Sequence, residues 1–273
     1  MKLLAGGCRV TNHDEGEVLS EGTRSYRRPI SRASGAQQIT QTINHYATGR
    51  APARINPLGE EVHYVANGRG FCYIARDPYA LEAGTAVYVP PGIPCLFENI
   101  EAEALTVVSV CCPEDPASYP AEWDIGLDSG NGVDRLTRDE MARLVASPIN
   151  TAASGNLPLR TVHERDQKAI PTGDREFRLL IDKSFGCERV TQFVGFIPQS
   201  RAPFHHHTYE EAIYILQGRG IVRAGDESCE FASGTSIYLP VGVSHCLENP
   251  HPEPVRLLGV FYPSGSPAVR YDD

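Results

Sequence analysis

The sequence predicts an all-β protein made of two tandem copies of one unit, each a β-sandwich or β-barrel. Three observations predict this class. The chain has 273 residues, enough for two domains of about 100–150 residues each. It matches itself at a shift of 150 to 151 residues. Each copy consists of short apolar runs rich in Val, Ile, Tyr and Phe, separated by Gly, Pro and Asp.

The internal repeat extends over most of both halves. At a shift of 150, Gly68-Arg69-Gly70 aligns with Gly218-Arg219-Gly220, and Glu61 aligns with Glu211. Nearer the start of each copy the shift is 151. Two such copies indicate two domains of one fold rather than one large domain.

The repeat and the composition between its copies set the expected domain boundaries. We predict an N-terminal domain over residues 1–112, a linker over 113–158 and a C-terminal domain over 159–273. The linker concentrates Pro, Gly, Ser and Asp. Thr137 and Glu140 have the spacing of a capping box, which predicts a short connecting helix over 138–146.

The second copy contains apolar runs of strand length, bounded by turn residues. Gly218 and Gly220 mark a tight hairpin, and Pro240-Val241-Gly242 marks a second fixed turn. The predicted strands are residues 189–197, 212–216, 221–224, 236–239 and 255–261. Many short strands separated by turns are typical of a sandwich or barrel.

Composition excludes several classes of function. The chain has 25 Lys and Arg against 34 Asp and Glu, a net charge of −9, so we expect no nucleic-acid partner. The longest apolar run, residues 105–112, is far shorter than a membrane span, and the first residues lack the apolar stretch of an export signal. The eight cysteines form no Cys-x-x-Cys pair, which favours a reduced, cytoplasmic protein.

A group of ionisable side chains precedes the first predicted hairpin of the second copy. Because side chains alternate along an extended chain, His205, His207 and Glu211 are expected on one face. His206 and Glu210 are expected on the opposite face. For a histidine triplet alone, a solvated polar run would be the simpler interpretation.

A fourth histidine, His245, follows the Pro240 turn and is expected on a neighbouring strand. Three imidazoles and the Glu211 carboxylate inside a small barrel would form a mixed nitrogen and oxygen site for one divalent transition metal. These ligand types favour Fe or Mn, with Ni, Co, Cu and Zn as alternatives.

The spacing of these residues resembles the double signature of the cupin superfamily. The two matching motifs are His205-x-His207-x3-Glu211-x6-Gly218 and Gly234-x5-Pro240-x-Gly242-x2-His245-x3-Asn249. The sequence departs from the pattern at Gln199, where cupins have glycine. The resemblance implies a jelly-roll barrel and, with the repeat, a bicupin with a short helical linker. It also implies a homodimer.

The first copy keeps the turns of the motif but loses most of its ligands. Ile55, Pro57 and Cys95 stand at the positions of the three histidines, and Glu61 alone survives. One carboxylate and one cysteine cannot replace three imidazoles. We therefore expect a metal in the C-terminal barrel only.

The resemblance leaves three functions open for a small-molecule substrate. The first expectation is a dioxygenase similar to the bicupin quercetin dioxygenases, with Glu211 as a catalytic proton acceptor. A non-redox hydrolase, decarboxylase or isomerase acting on a small carboxylate, amide or sugar derivative is the second. A non-enzymatic small-molecule binder is the third.

Other side chains are candidates near the metal. Tyr209 has the parity of the ligand face and no aromatic counterpart in the first copy, which makes it the second catalytic candidate. Phe193 and Phe204 are candidates for an apolar wall, with ordinary core packing as the alternative. Arg27 and Arg178 occupy matched positions, which favours a structural role for both.

Overall fold

The computed structural model describes residues 1–113, 119–120 and 158–268, and these residues form two β-barrels. The all-β class predicted from the sequence is confirmed. The predicted helix over 138–146 lies outside the described residues. Within the described ranges the helical segments are four single 3-10 turns, at Ala5–Gly7, Arg32–Ser34, Glu164–Asp166 and Lys183–Phe185. In this part of the chain no helix has the length and apolar character to cross a membrane.

The strands are short and follow one another closely, as the spacing of turn residues predicts. In the first half they are β1 (Lys2–Leu3), β2 (Arg9–Thr11), β3 (Leu19–Glu21), β4 (Arg24–Ile30), β5 (Thr40–Tyr46), β6 (Gly49–Arg50), β7 (Arg54–Ile55), β8 (Glu60–Asn67), β9 (Arg69–Ile74), β10 (Asp77–Glu82), β11 (Thr85–Val89), β12 (Cys95–Asn99), β13 (Leu105–Cys112) and β14 (Tyr119–Pro120). In the second half they are β15 (Thr161–His163), β16 (Ile170–Thr172), β17 (Arg175–Ile181), β18 (Thr191–Ile197), β19 (Ser200–Arg201), β20 (Glu210–Gln217), β21 (Arg219–Ala224), β22 (Glu227–Ala232), β23 (Ser236–Leu239), β24 (His245–Asn249) and β25 (Val255–Tyr262).

Each barrel consists of one large and one small antiparallel sheet. The first has strand orders β15-β11-β8-β13-β5-β4-β3 and β10-β9-β12-β7-β14. The second has orders β1-β2-β23-β20-β25-β18-β17-β16 and β19-β24-β21-β22. Apart from the outermost strands, the two barrels repeat the same strand order, which is the structural form of the sequence repeat.

The first strands of each copy cross to the other barrel. β2 pairs with β23, with Val10 opposite Ile237. β15 pairs with β11, with Val162 opposite Ala86. Neither large sheet is therefore completed by its own copy, a feature that the repeat alone does not show.

The central strands are buried on both faces because the two large sheets pack against each other. In β20, Ile213 and Ile215 point into the second barrel, whereas Ala212 packs against the first barrel. In β8, Val62 and Tyr64 belong to the same inter-barrel core as Ala212. Burial on both faces explains why these strands are almost continuously apolar rather than alternating.

Two buried glutamates join the barrels in pseudo-symmetric positions. Glu210 accepts hydrogen bonds from the backbone amides of Gln37 and Gln38, each at 2.9 Å, and from the Tyr238 hydroxyl at 2.6 Å. Its counterpart Glu60 accepts from the amides of residues 188 and 189, each at 2.9 Å, and from the hydroxyl of residue 88 at 3.2 Å. Charge-assisted bonds of this kind are stronger than neutral ones.

The first prediction concerns the Glu210 carboxylate. Glu210→Ala leaves two backbone amides and one hydroxyl without their acceptor, and each such buried group costs about 1–3 kcal/mol. We expect the free energy of unfolding to fall by about 2 kcal/mol or more, measured by urea denaturation. Glu227→Ala, on an exposed position of β22, is the control and should leave it within about 0.5 kcal/mol. Equal stability of the two variants would contradict this account.

Candidate metal centre

The backbone brings three histidines to one point of the second barrel. His205 and His245 form an antiparallel bridge, with N–H···O distances of 3.0 and 2.9 Å between their backbones. Residues directly opposite each other project their side chains to the same face. His207 follows two residues after His205 and returns to that face, as the alternation predicts.

The side chains of this cluster converge as expected for ligands of one ion. The ligand atoms of His205, His207 and His245 all lie within 4.8 Å of one another. Glu211, at the start of β20, places Oε2 3.4 Å from His207 Nε2. The structure thus brings together all four residues that the sequence predicts as ligands.

Backbone carbonyls orient two of the imidazoles. His205 Nδ1 lies 3.1 Å from the Pro203 carbonyl oxygen, and His245 Nδ1 lies 2.7 Å from that of Val243. Since a carbonyl only accepts, each Nδ1 carries the proton and each Nε2 keeps its lone pair. This is the arrangement by which outer-shell groups prepare histidine for a metal.

Burial controls the charge of the cluster. Desolvation, followed by the neighbouring imidazoles, lowers the pKa of His207 to about 3, and burial likewise lowers the pKa of His245 to about 4. Burial raises the pKa of Glu211 to about 8. The imidazoles of His207 and His245 are therefore neutral, the form that binds metals. A divalent cation would supply the positive charge that the buried carboxylate lacks, so the residues fit a metal.

Tyr209 packs behind His207 and is not among the residues that line the cavity beside the cluster. Its ring stacks on His207, with centroids 4.8 Å apart and planes 13° from parallel, and it also packs on Phe261. Its buried hydroxyl donates to the Ser266 carbonyl at 3.2 Å. These contacts suit a residue that positions His207, and the catalytic role expected from the sequence stays an untested prediction.

A cavity of about 100 Å³ opens beside the four candidate ligands. Its wall is mostly apolar and comes chiefly from β17, β18, β20 and β25. The aromatic and aliphatic members are Phe177, Phe193, Phe196, Ile197, Ala202, Ile213, Leu239, Leu247, Leu257, Phe261 and Pro267. The sequence correctly placed Phe193 in this wall. It was wrong for Phe204, which is 38% exposed and lies under the Arg201 guanidinium.

Arg175 and Glu176 also line the cavity and were not singled out from the sequence. Arg175 Nη2 donates to the Leu247 carbonyl at 2.8 Å, which fixes the guanidinium at the cavity wall. The available signal was weak: Arg175 aligns with Arg24, another arginine that begins the corresponding strand. The match of Arg24 with Arg175 in the repeat was no stronger than the match of Arg27 with Arg178. Neither pair of positions belongs to the metal-binding motif.

The first barrel has a different cluster at the matching place. Glu61, His63 and Cys95 are all buried, with potential ligand atoms within 4.8 Å of one another. The Arg54 guanidinium lies 4.0 Å from Glu61 Oε1. His63 was assigned no role from the sequence, although it follows Glu61 by two residues and shares its face.

The charges of this cluster oppose a metal. Although burial raises the pKa of Glu61, the His63 imidazole 3.6 Å away and the charge of Arg54 bring that pKa down to about 2. Burial raises the pKa of Cys95 to about 12, so the thiol is protonated and a poor ligand. Because Arg54 already provides a cation, metal binding in the second barrel alone stays our prediction.

The fold and the cluster define a class of protein: a duplicated β-barrel with a three-histidine, one-glutamate candidate metal centre in its second barrel. The cupin domain model matches both barrels, over residues 45–111 and 192–261, which is about half of the chain. The chain belongs to the cupin family, and its duplication makes it a bicupin, as the resemblance in the sequence implied.

Segments of this chain are similar to two uncharacterised proteins. The chain is 40% identical over 58 residues to an uncharacterised protein of Methanocaldococcus jannaschii, a match covering 21% of this chain and 46% of that protein. It is 33% identical over 60 residues to an uncharacterised protein of Streptomyces coelicolor, covering 22% and 56%. These matches span about half the length of the curated relatives.

Solved structures of Bacillus subtilis oxalate decarboxylase share the fold. One, a tryptophan-to-phenylalanine variant, superimposes with a TM-score of 0.71 at 14% identity, covering 93% of this chain and 76% of that chain. Another, from a study of the Mn(II) centres of that enzyme, gives 0.70 at 14% identity, covering 94% and 78%.

The second prediction tests the ligand set. His245→Ala removes one imidazole, and we expect the bound metal to fall from about one ion per chain to nearly none, because every ligand contributes to such a site. The measurement is elemental analysis after loading with Mn(II) and gel filtration.

His206→Ala is the matched control, because His206 adjoins the same segment but alternates away from the cluster. It should keep the wild-type stoichiometry, and so should Cys95→Ser. If His206→Ala lost the metal and His245→Ala kept it, the ligand assignment would be wrong.

The third prediction concerns Tyr209. Tyr209→Leu removes the ring stacked on His207, and we expect metal affinity to fall about tenfold, as for other outer-shell changes. Tyr209→Phe keeps the stacking and loses the bond to Ser266, so its metal affinity should stay near wild type. Competition with a metal-sensitive dye measures both. Equal loss in the two variants would assign the effect to the hydroxyl instead.

Proposed function

We propose that this protein is a metal-dependent cupin enzyme that performs non-redox chemistry on a small organic carboxylate. The observation that carries the proposal is the cavity itself: about 100 Å³ in volume, mostly apolar, with the candidate metal ligands and Arg175 in its wall. A metal and a guanidinium facing one small cavity suit a substrate with an acidic group.

The size of the cavity supports a small substrate. Pockets for drug-sized ligands have volumes of about 300–1,000 Å³. A cavity of about 100 Å³ suits a compound of a few heavy atoms rather than a three-ring flavonol. This argues against a substrate of the quercetin type, which belonged to the dioxygenase expectation.

Each part of the cavity has a proposed role. His205, His207, His245 and Glu211 would hold one divalent metal, with Mn or Fe favoured by the ligand types. Oxalate decarboxylase, which shares the fold, has Mn(II) centres, and this supports Mn. The bound metal would act as a Lewis acid that stabilises negative charge on a substrate oxygen.

The protein's own residues would position the substrate and move its proton. Arg175 would pair with a substrate carboxylate, held in place by its bond to the Leu247 carbonyl. The aromatic and aliphatic wall would exclude water, which strengthens both charge interactions. Glu176, partly exposed and in the cavity lining, would transfer a proton between its carboxylate and the substrate.

The setting of the protein in the cell is part of the proposal. All eight cysteines are free, which supports the reduced, cytoplasmic location expected from the sequence. The homodimer implied by the cupin resemblance also stays a proposal, and sedimentation of the purified chain would measure it.

The fourth prediction tests the reaction class. The Mn-loaded protein, incubated with oxalate or malonate under strict anaerobiosis, should convert at least one of these acids, with product detected by NMR. We expect His245→Ala to abolish turnover. Arg175→Gln should raise KM about tenfold or more, because a bond between charged groups is lost, with a smaller change in kcat.

The control is the same panel in air with an oxygen electrode. Turnover that requires dioxygen and consumes it stoichiometrically would refute the non-redox proposal and restore the dioxygenase. Tight binding of an acid without turnover, unchanged by metal removal, would identify a non-enzymatic binder.

A further inference from the structure

A second cavity, of about 270 Å³, lies between the two barrels and is separate from the metal centre. Arg27 and His45 line it from the first barrel, and Tyr214 lines it from β20 of the second. His13 and Glu15 lie at its rim, on the segment that follows the exchanged strand β2. Neither the proposed reaction nor the cupin motif uses these residues.

The opposite side of the molecule shows what the equivalent place contains. There the carboxylate of Glu164 accepts a hydrogen bond from the Tyr64 hydroxyl at 2.9 Å and pairs with Arg256 Nη2 at 2.5 Å. Arg178 Nη1 donates to the Glu164 backbone carbonyl at 3.3 Å. A carboxylate, a tyrosine hydroxyl and two guanidinium groups thus share one inter-barrel site.

The internal repeat relates the two places residue by residue. At the shift of 151, Arg178 corresponds to Arg27 and Glu164 corresponds to His13; at the shift of 150, Tyr64 corresponds to Tyr214. The backbone confirms the match. A Cβ added at Gly84 would lie 3.3 Å from Glu164 Cγ, and one added at the equivalent Gly234 would lie 2.7 Å from His13 Cβ.

The cavity therefore retains the tyrosine and one of the two arginines, and it has lost the carboxylate together with the arginine paired to it, since Thr106 stands at the position of Arg256. No ion pair of Arg27 occurs within the described residues, and its buried Nε has no hydrogen-bond partner there. The Arg178 Nε is likewise without one, but Arg178 is bonded to Glu164 through Nη1. Arg27 thus lacks, within the described residues, the bond to a backbone carbonyl that its counterpart Arg178 makes.

The remaining charged and titratable groups are compatible with an anion. Glu15 is the acidic residue of the lining, and its carboxylate is already paired with the amino group of Met1 and bonded to the Asn12 amide. Burial and Arg27 lower the pKa of His45, whose Nδ1 lies 3.1 Å from the Thr106 hydroxyl. Burial raises the pKa of Tyr214, so its hydroxyl remains a donor.

We propose that the inter-barrel cavity at Arg27 and Tyr214 binds a small carboxylate, which takes the place that the Glu164 side chain holds in the other half of the molecule. Arg27 would supply the charge, the role that Arg256 has for the Glu164 carboxylate on the other side, and Tyr214 would donate a hydrogen bond, as Tyr64 does there. The site is independent of the proposed reaction, because its residues are not in the lining of the metal cavity.

The experiment uses propionate, which reproduces the end of a glutamate side chain, added to the metal-loaded protein at constant ionic strength. We expect saturable binding in calorimetry and a rise in melting temperature. Propionamide, of the same shape but uncharged, should produce neither. Arg27→Gln should weaken binding about tenfold or more, because a bond between charged groups is lost.

Arg175→Gln distinguishes this site from the metal cavity and should leave the Arg27-dependent binding unchanged. If propionate binding survived Arg27→Gln and were lost in Arg175→Gln, the ligand would occupy the metal cavity and the proposal would be wrong. Failure of the reaction test above would not affect either result.

A second variant tests the proposal through the repeat itself. His13→Glu installs a carboxylate at the position equivalent to Glu164, and we expect a higher melting temperature and loss of the propionate effect. His13→Gln is the matched uncharged control and should keep that effect. An unchanged propionate response in His13→Glu would overturn the proposal.

Discussion

The structure depends on the burial of β20 on both faces. One face of this strand carries Glu211 toward the candidate metal ligands, and the other carries Glu210 into the contact with the first barrel. These two acidic side chains are adjacent in the chain but lie in different surroundings. Glu210 accepts hydrogen bonds from two amides and a hydroxyl, whereas Glu211 lies beside the neutral imidazole of His207, and burial raises the pKa of Glu211 to about 8. The register of β20 cannot shift by one residue without exchanging the two environments.

The two barrels differ most in how their interiors are filled. In the first, Asn44 donates to Ser109 at 2.9 Å, and the Ser109 hydroxyl lies 2.8 Å from His63 Nδ1, while His63 Nε2 lies 3.6 Å from Glu61 Oε2. In the second, glycines stand at the positions of Asn44 and Ser109, and a Cβ at Gly259 would lie 2.2 Å from the ring of Phe193. Small residues leave room for an aromatic wall and a cavity, whereas side chains with polar ends fill the first barrel with a hydrogen-bonded network.

The sequence alone predicted those parts of the fold and of the candidate site that follow from local periodicity and from the repeat. Alternation along an extended chain placed His205, His207 and Glu211 on one face, and the repeated turns showed that His245 belongs with them. The sequence could not show that β2 and β15 each pair with the opposite barrel, because strand pairing between distant segments leaves no local pattern.

Other features of the site depend on the direction that a side chain takes in the folded state. The ring of Tyr209 turns to stack on His207 instead of entering the cavity, and Arg175 reaches the cavity only because β17 lies beside β18. Proximity in sequence to a ligand therefore predicted lining residues poorly, whereas the order of strands in the sheet explains them.

The duplication makes each half a reference for the other. At the matched position of the barrel interior, the first copy has the Arg54 cation beside its glutamate, and the second has three imidazoles arranged for an external cation. Between the barrels the roles are reversed: the carboxylate of Glu164 is internal on one side, and its counterpart position on the other side is His13 beside a cavity. An internal charge needs no ligand, because the protein itself supplies the counter-ion at a fixed distance. A site that keeps one arginine and the tyrosine after losing that carboxylate retains a positive charge without an internal counter-ion, and this difference between the copies is the basis for expecting a negatively charged ligand there.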